Sequence, residues 1–246
     1  MTIETALELE KLQAVGRVVA ETRRRMAAAI EPGMTTAELD EIGRRCLEEH
    51  GARSAPELTY AFPAATCISI NDAAAHGIPG AQVIQMGDLV NIDISAELDG
   101  FFADTGASFA AGPTDTRSRQ LCEYGQRALA AALAKVRSGS EFRSLGRAIG
   151  QVARRGGFTV IADLGGHGLG QSLHEAPEFI PSGPSRDRRR FQRGSVVAIE
   201  PFLSDGATRI WEDADGWTLR TRGGQRAVQY EHTVVVTDGR PIILTA

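Results

Sequence analysis

Gly87-Asp88-Leu89-Val90-Asn91-Ile92-Asp93 and Gly194-Ser195-Val196-Val197-Ala198-Ile199-Glu200 read alike at an offset of 107 residues. Each opens on a turn-forming glycine, runs through aliphatic residues and ends on an acid. Such runs read as buried strands, where a carboxylate is costly unless it is paired or bound to a cation. The likeness extends outward. Gly33, Leu39 and Gly51 shift by 106 onto Gly139, Leu145 and Gly157. His76-Gly77-Ile78-Pro79 parallels His174-Glu175-Ala176-Pro177, and Ala103-Asp104-Thr105 parallels Tyr230-Glu231-His232-Thr233. Four matches in one order imply a duplicated unit. They set Asp93 opposite Glu200, Asp104 opposite Glu231, and His76 opposite His174.

The same order of elements is read in both halves. Leu12, Val15, Val19, Met26 and Ile30 recur near helical spacing until Pro32-Gly33. Thr35 and Glu38 form a capping-box pair that opens a second helix, ending at Gly51. Short β-branched and aromatic runs then fill 66–111. A long Ala-rich helix from about Thr116 to Val136, a shorter one ending at Gly156-Gly157, and a second set of strand runs repeat the plan. Helices before strands, with short turns between strands, predict an α+β fold: an antiparallel sheet with helices packed on one side. The expected organisation is one pseudo-symmetric catalytic domain over 1–246, with halves of about 1–112 and 113–246.

Composition narrows the class. With 42% hydrophobic and 24% charged residues the chain is neither disordered nor collagen-like. No apolar run reaches the ~18–20 residues of a membrane helix, and the polar, acidic start resembles no targeting peptide. A net charge of −4 argues against stable nucleic-acid binding. Cys46, Cys67 and Cys122 are scattered and odd in number, as expected of free thiols in a reducing cytoplasm.

The symmetric polar positions are candidates for chemistry. Asp99-Gly100 is a two-residue hairpin signal, and that turn pairs residues whose numbers sum to 199. Asp104 then faces Ser95, a diagonal neighbour of Asp93 on the same face, at about 7–8 Å between Cα atoms. Two carboxylates so placed repel unless one is protonated or a cation lies between them. Asp93, Asp104, Glu200 and Glu231 carry four negative charges, which two divalent cations would neutralise. His76, His174 and the glycine-flanked His167 offer nitrogen. Such a donor set, without thiolate, favours Mn, Fe(II), Co or Zn. Gly165–Gly170 is no dinucleotide loop, since neither a βαβ start nor a helix flanks it. His174-Glu175 is no HExxH helix, since Glu178 stands where the second histidine belongs.

These residues lie in stretches that resemble the type I methionine aminopeptidases of the pita-bread fold. The matching stretches are 67–72 (CISIND), 76–80 (HGIPG), 87–95 (GDLVNIDIS), 99–109 (DGFFADTGASF), 165–177 (GGHGLGQSLHEAP), 198–203 (AIEPFL), 215–218 (DGWT) and 229–238 (QYEHTVVVTD). The resemblance implies a curved sheet covered by helices and two metal ions held by Asp93, Asp104, His167, Glu200 and Glu231, with Asp104 and Glu231 bridging. It implies that His76 and His174 touch substrate, and that Tyr60, Phe62, Cys67, His76 and Trp217 surround its first side chain. The implied activity is removal of the initiator methionine from nascent chains when the second residue is small. A hydroxide shared by two metals would attack, with Glu200 as general acid/base. The chain departs from the usual type I pattern at Pro56-Glu57-Leu58-Thr59, where a Cys and a Tyr are common. It departs also at Tyr60, usually His, and at Leu173, often Phe.

Two other functions fit parts of the pattern. A proline-directed aminopeptidase or dipeptidase shares this fold. A non-catalytic binding protein of the fold would lack ligands that this chain keeps. The basic clusters Arg23–Arg25 and Arg186–Arg193 are read as solvated surface in preference to a transient ribosome contact, and the chain is expected to be monomeric.

Overall fold

The computed structural model describes residues 1–246. Five helices form: α1 (Ala6–Ala29), α2 (Thr36–Glu49), α3 (Ala55–Tyr60), α4 (Thr116–Leu133) and α5 (Phe142–Arg155). Thr35 caps α2 as the sequence predicts. Its hydroxyl accepts from the Glu38 amide, and the Glu38 carboxylate accepts from the Thr35 amide at 2.7 Å. An equivalent box, Thr5 with Glu8, opens α1. Helix α4 stops at Leu133, three residues short of the expected end at Val136. No periodicity in the sequence predicts helix α3, because six residues are too few to show a helical period. It rests on local chemistry: Ser54 caps it, Pro56 sits in its first turn, and Ala61 ends it in the left-handed region at φ 53°.

Strands Leu89–Leu98 and Phe101–Ala110 make the long hairpin. Asp99 and Gly100 both have positive φ, the conformation that a tight two-residue turn needs. The register is the one read from the sequence, with Ser95 opposite Asp104 and Asp93 opposite Gly106. Cys67–Ile70 lies on the other edge of Leu89–Leu98 and sets Cys67 beside Asp93. In the second half, Val196–Ile199 is flanked by His232–Val235 and by Gly165–Gly168. All strand pairing is antiparallel.

From the sequence alone, the β-rich runs 195–203 (SVVAIEPFL) and 227–237 (AVQYEHTVVVT) each read as one strand. Each is two. The first breaks after Ile199 and resumes at Phe202, and the second breaks after Gln229 and resumes at His232. Pro201 has no N–H to give a ladder, which favours the first break. Both breaks lie at an acid, Glu200 and Glu231.

Alternate residues of the hairpin divide by face. Val90, Ile92 and Ile94 join Leu12, Val15 and Val19 of α1 in one core. Asn91, Asp93 and Ser95 alternate with them and so lie on the opposite face. The second half is covered differently from the one-sided expectation. Val196 and Ala198 belong to the α1 core, whereas Val197 and Ile199 belong to a second core built with α4 and α5. That strand is therefore buried on both faces, which is why it reads as a continuous apolar run. No helix is long and apolar enough to cross a membrane.

Candidate metal centre and substrate pocket

The four paired acids converge. Asp93 and Asp104 come from the hairpin, and Glu200 and Glu231 from the two strand breaks. Asp104 and Glu231 are buried, while Asp93 and Glu200 are partly open to a cavity of about 260 Å³. His167 is buried beside them, its Nε2 lying 3.8 Å from Asp104 Oδ2 and 3.7 Å from Glu200 Oε1. Its backbone can enter because Gly166 and Gly168 have no side chains. A Cβ on Gly166 would lie 2.1 Å from the Ala198 carbonyl oxygen, and one on Gly168 2.4 Å from that of Ala176.

The electrostatics are those of a site short of positive charge. Burial raises Asp93 to about 6, and burial together with the neighbouring acids raises Asp104, Glu200 and Glu231 well above the usual carboxylate range. Burial lowers His167 to about 3, so its ring is neutral. His167 Nδ1–H donates to the Gly168 carbonyl at 3.0 Å, which leaves a lone pair on Nε2 facing carboxylate oxygens. A lone pair aimed at anions is repulsive without a cation between them. Two further atoms say the same: Asp104 Oδ1 and Glu231 Oε1 are buried without any hydrogen-bond partner. Single ligand atoms of Asp104, His167 and Glu231 all lie within 4.8 Å of one another. These residues fit a divalent cation.

One participant had no role in the sequence reading. The Gln229 side-chain amide lies 3.2 Å from Glu231, 3.3 Å from Asp93 and 3.5 Å from Glu200, donating toward all three. Asn91 donates to Gln229 Oε1 at 2.9 Å, which turns the amide nitrogen toward the acids. Gly106 makes room, since a Cβ there would lie 1.9 Å from Gln229 Oε1. Two N–H groups spread over three carboxylates orient the cluster without neutralising it. The available signal was spacing: Gln229 precedes Glu231 by two.

Above the acids the cavity is walled by Tyr60, Phe62, Cys67, His76, Leu173, His174 and Trp217. Phe62 and Trp217 meet edge to face at 5.1 Å between ring centroids. His76 has φ 54°, and the next residue, Gly77, has no room for a Cβ, which would sit 2.2 Å from the Ile68 carbonyl oxygen. His174 immediately precedes strand Glu175–Pro181, and its ring stacks on that of His167 at 4.1 Å. Every residue expected at the site lines this cavity except Glu231, which lies beneath it, beside Gln229. Metallopeptidase family M24 matches residues 10–238.

The chain belongs to that family. Its members are metallopeptidases, so the buried Asp104–His167–Glu231 group is placed in a chain that uses a divalent metal. The chain is 48% identical over 247 residues to methionine aminopeptidase 2 of Bacillus subtilis, covering 100% of this chain and 99% of that one. It superimposes on the structure of methionine aminopeptidase from Thermotoga maritima with a TM-score of 0.95 and 31% identity, covering 100% and 99% of the two chains. Prolidase from Pyrococcus furiosus shares the fold, with a TM-score of 0.77, 20% identity and 65% of its length covered.

The raised carboxylates give the metal-free protein an unusual pH dependence. A raised pKa means that the native state holds protons the unfolded chain has lost, so stability falls as pH rises toward the native pKa. His76, His167, His174 and His232 are lowered by burial and act in the opposite sense while unfolded histidine titrates, around 6.5. Above that range the raised acids dominate. The thermal midpoint of chelated protein should therefore fall as pH rises above about 7.5. Metal-loaded protein should rise, because metal binding displaces protons. Parallel slopes with and without metal in a fluorescence melt would contradict the cation site.

Proposed function

We propose that this protein is an aminopeptidase that removes an N-terminal methionine when the next residue is small. One observation carries the reading: the unpartnered buried oxygens of Asp104 and Glu231 lie under a pocket walled by aromatic rings and a thiol. Asp93, Asp104, His167, Glu200 and Glu231 would hold two divalent ions, of a kind (Mn, Fe(II), Co or Zn) that accepts oxygen donors and one imidazole. Such ions, when bound, supply Lewis acidity and a water of near-neutral pKa. Glu200, at the cavity floor, takes a proton from the attacking water and passes it to the leaving amine. His174 donates a hydrogen bond to the carbonyl oxygen as charge develops there. His76 contacts the scissile nitrogen. Phe62, Cys67, Tyr60 and Trp217 receive the thioether, since sulfur–aromatic contacts contribute roughly 0.3–1.5 kcal/mol each.

Residues 1–246 act together as one catalytic domain, with halves of about 1–112 and 113–246. The substrates are the N-termini of nascent chains, and the protein works as a monomer. Free thiols at Cys46, Cys67 and Cys122 suit the cytoplasm. Arg23 bonds to Thr105 and the Thr245 carbonyl, and Arg189 pairs with Asp187, so parts of both basic clusters are engaged within the fold.

Metal-stripped protein, reloaded with single metals, tests the activity on short peptides. Met-Ala-Ser should be the best substrate. Leu-Ala-Ser should follow within about 10–200-fold in kcat/KM, because an apolar pocket separates aliphatic side chains by only 1–3 kcal/mol. Leu173, which lines the cavity, offers less aromatic surface than Phe would, which narrows that gap; Thr59 does not line it. Met-Lys-Ser should be poor, because the cations and His76 crowd the second position. Faster turnover of Ala-Pro-Ser than of Met-Ala-Ser would make the enzyme proline-directed.

A further inference from the structure

Tyr60 ends α3, and its hydroxyl oxygen lies 2.7 Å from Nδ1 of His174. The two rings meet at 52° with centroids 5.6 Å apart. His174 also packs on His167, with ring centroids 4.1 Å apart and planes at 36°. The imidazole is therefore held by one hydrogen bond and two ring contacts.

The Tyr60–His174 pairing is built into the fold. Ala61 takes a left-handed conformation that glycine would adopt more easily, and its amide closes α3 on the Glu57 and Pro56 carbonyls. Such a cap on a residue with a side chain persists only where the surroundings hold it. Arg44 holds α3 from outside through both oxygens of Glu57, at 3.1 and 2.5 Å. Leu173, the residue before His174, packs with Ala55 at the start of α3 and with Phe102 of the hairpin. The segment bearing the histidine and the helix bearing the phenol are thus fastened to each other at both ends.

A phenol hydroxyl and an imidazole nitrogen can share one hydrogen bond in either sense, and His174 Nδ1 is the acceptor that the fold sets against the Tyr60 hydroxyl. With the phenol as donor, Nδ1 accepts and the single proton of the ring lies on Nε2. We propose that Tyr60 is a positioning residue that locks His174 in the Nε2–H tautomer, so that the ring offers a donor to the substrate carbonyl. This rests on the reading that His174 donates a hydrogen bond during the reaction. Tyr60 is 44% exposed in the free protein, where water competes for the bond. Substrate filling the cavity excludes that water, so the lock, already set in the free protein, tightens in the complex and adds little to folding stability.

Tyr60→Phe tests this, because it keeps the aromatic wall and removes only the donor. On metal-loaded enzyme the variant should lose about tenfold in kcat on Met-Ala-Ser, the worth of one hydrogen bond, with KM and thermal midpoint nearly unchanged. In a His174→Ala background the same substitution should change nothing further. The independent readout is nitrogen NMR of 15N-histidine-labelled, zinc-loaded protein. Wild type should show His174 with Nδ1 bare and Nε2 protonated, and Tyr60→Phe should show an averaged mixture. A protonated Nδ1 in wild type overturns the proposal, as does a Tyr60→Phe enzyme with unchanged kcat and tautomer. If wild type fails to release methionine the aminopeptidase reading fails, and the nitrogen shifts still decide the role of Tyr60.

Discussion

Asp104→Asn and Glu231→Gln should each lose bound metal and activity together, yet leave the metal-free protein more stable than metal-free wild type. The two acids are buried, and each has one oxygen with no partner. In the loaded enzyme those oxygens would hold the cation. Removal of an outer-shell partner of a metal ligand costs about 10–100-fold, so loss of a ligand should cost more than about 100-fold in activity. In the chelated state the balance reverses. Asp104 is pressed by Glu231 and Asp93, and Glu231 by Glu200 and Asp93. An amide of the same shape removes that repulsion and the desolvation of a charge, and should gain on the order of 1–3 kcal/mol. Metal analysis, peptide assay and melting with chelator measure the three parts. A destabilised apo variant that still binds metal would mean that Asp104 and Glu231 serve packing and not the ion. Arg23 is the one cation that offsets Glu231, so Glu231→Gln should gain less than Asp104→Asn.

The repeat made the core of this site legible before any coordinates. The offset of 107 paired Asp93 with Glu200, the likeness of 103–105 to 230–233 paired Asp104 with Glu231, and the Asp99-Gly100 turn fixed the hairpin register, because a side-chain period of two leaves no freedom once one face is buried. The breaks at Glu200 and Tyr230-Glu231 were not legible, since continuous apolar runs look the same whether one strand or two. Those breaks matter because they lie at the two glutamates. Helix α3 was hidden by its length, and with it the Tyr60–His174 bond, which joins residues 114 apart. No local pattern reports such a contact. Gln229 was hidden for another reason. A glutamine between apolar neighbours in a strand carries no charge to balance, so its neutral amide drew no attention until three acids were found around it.

His174→Ala should keep its metal and lose roughly 10²–10³-fold in kcat, the usual cost of one donor to a developing oxyanion. Its place in the structure separates it from the ligands. It lines the cavity and its ring is exposed there, whereas His167 is buried with its Nε2 among the carboxylates. Its Nδ1 is already engaged by Tyr60, so only Nε2 is free to meet substrate. A group that acts when charge develops on oxygen changes kcat more than KM. Loss of the ring also removes the stacking partner of His167, but His167 keeps its bond to the Gly168 carbonyl and hence its tautomer. Metal content near that of wild type, with a steep fall in kcat, is the expected pair of results. Metal loss matching that of Asp104→Asn would make His174 a ligand, and would move the oxyanion donor to His76, the other histidine at the cavity wall.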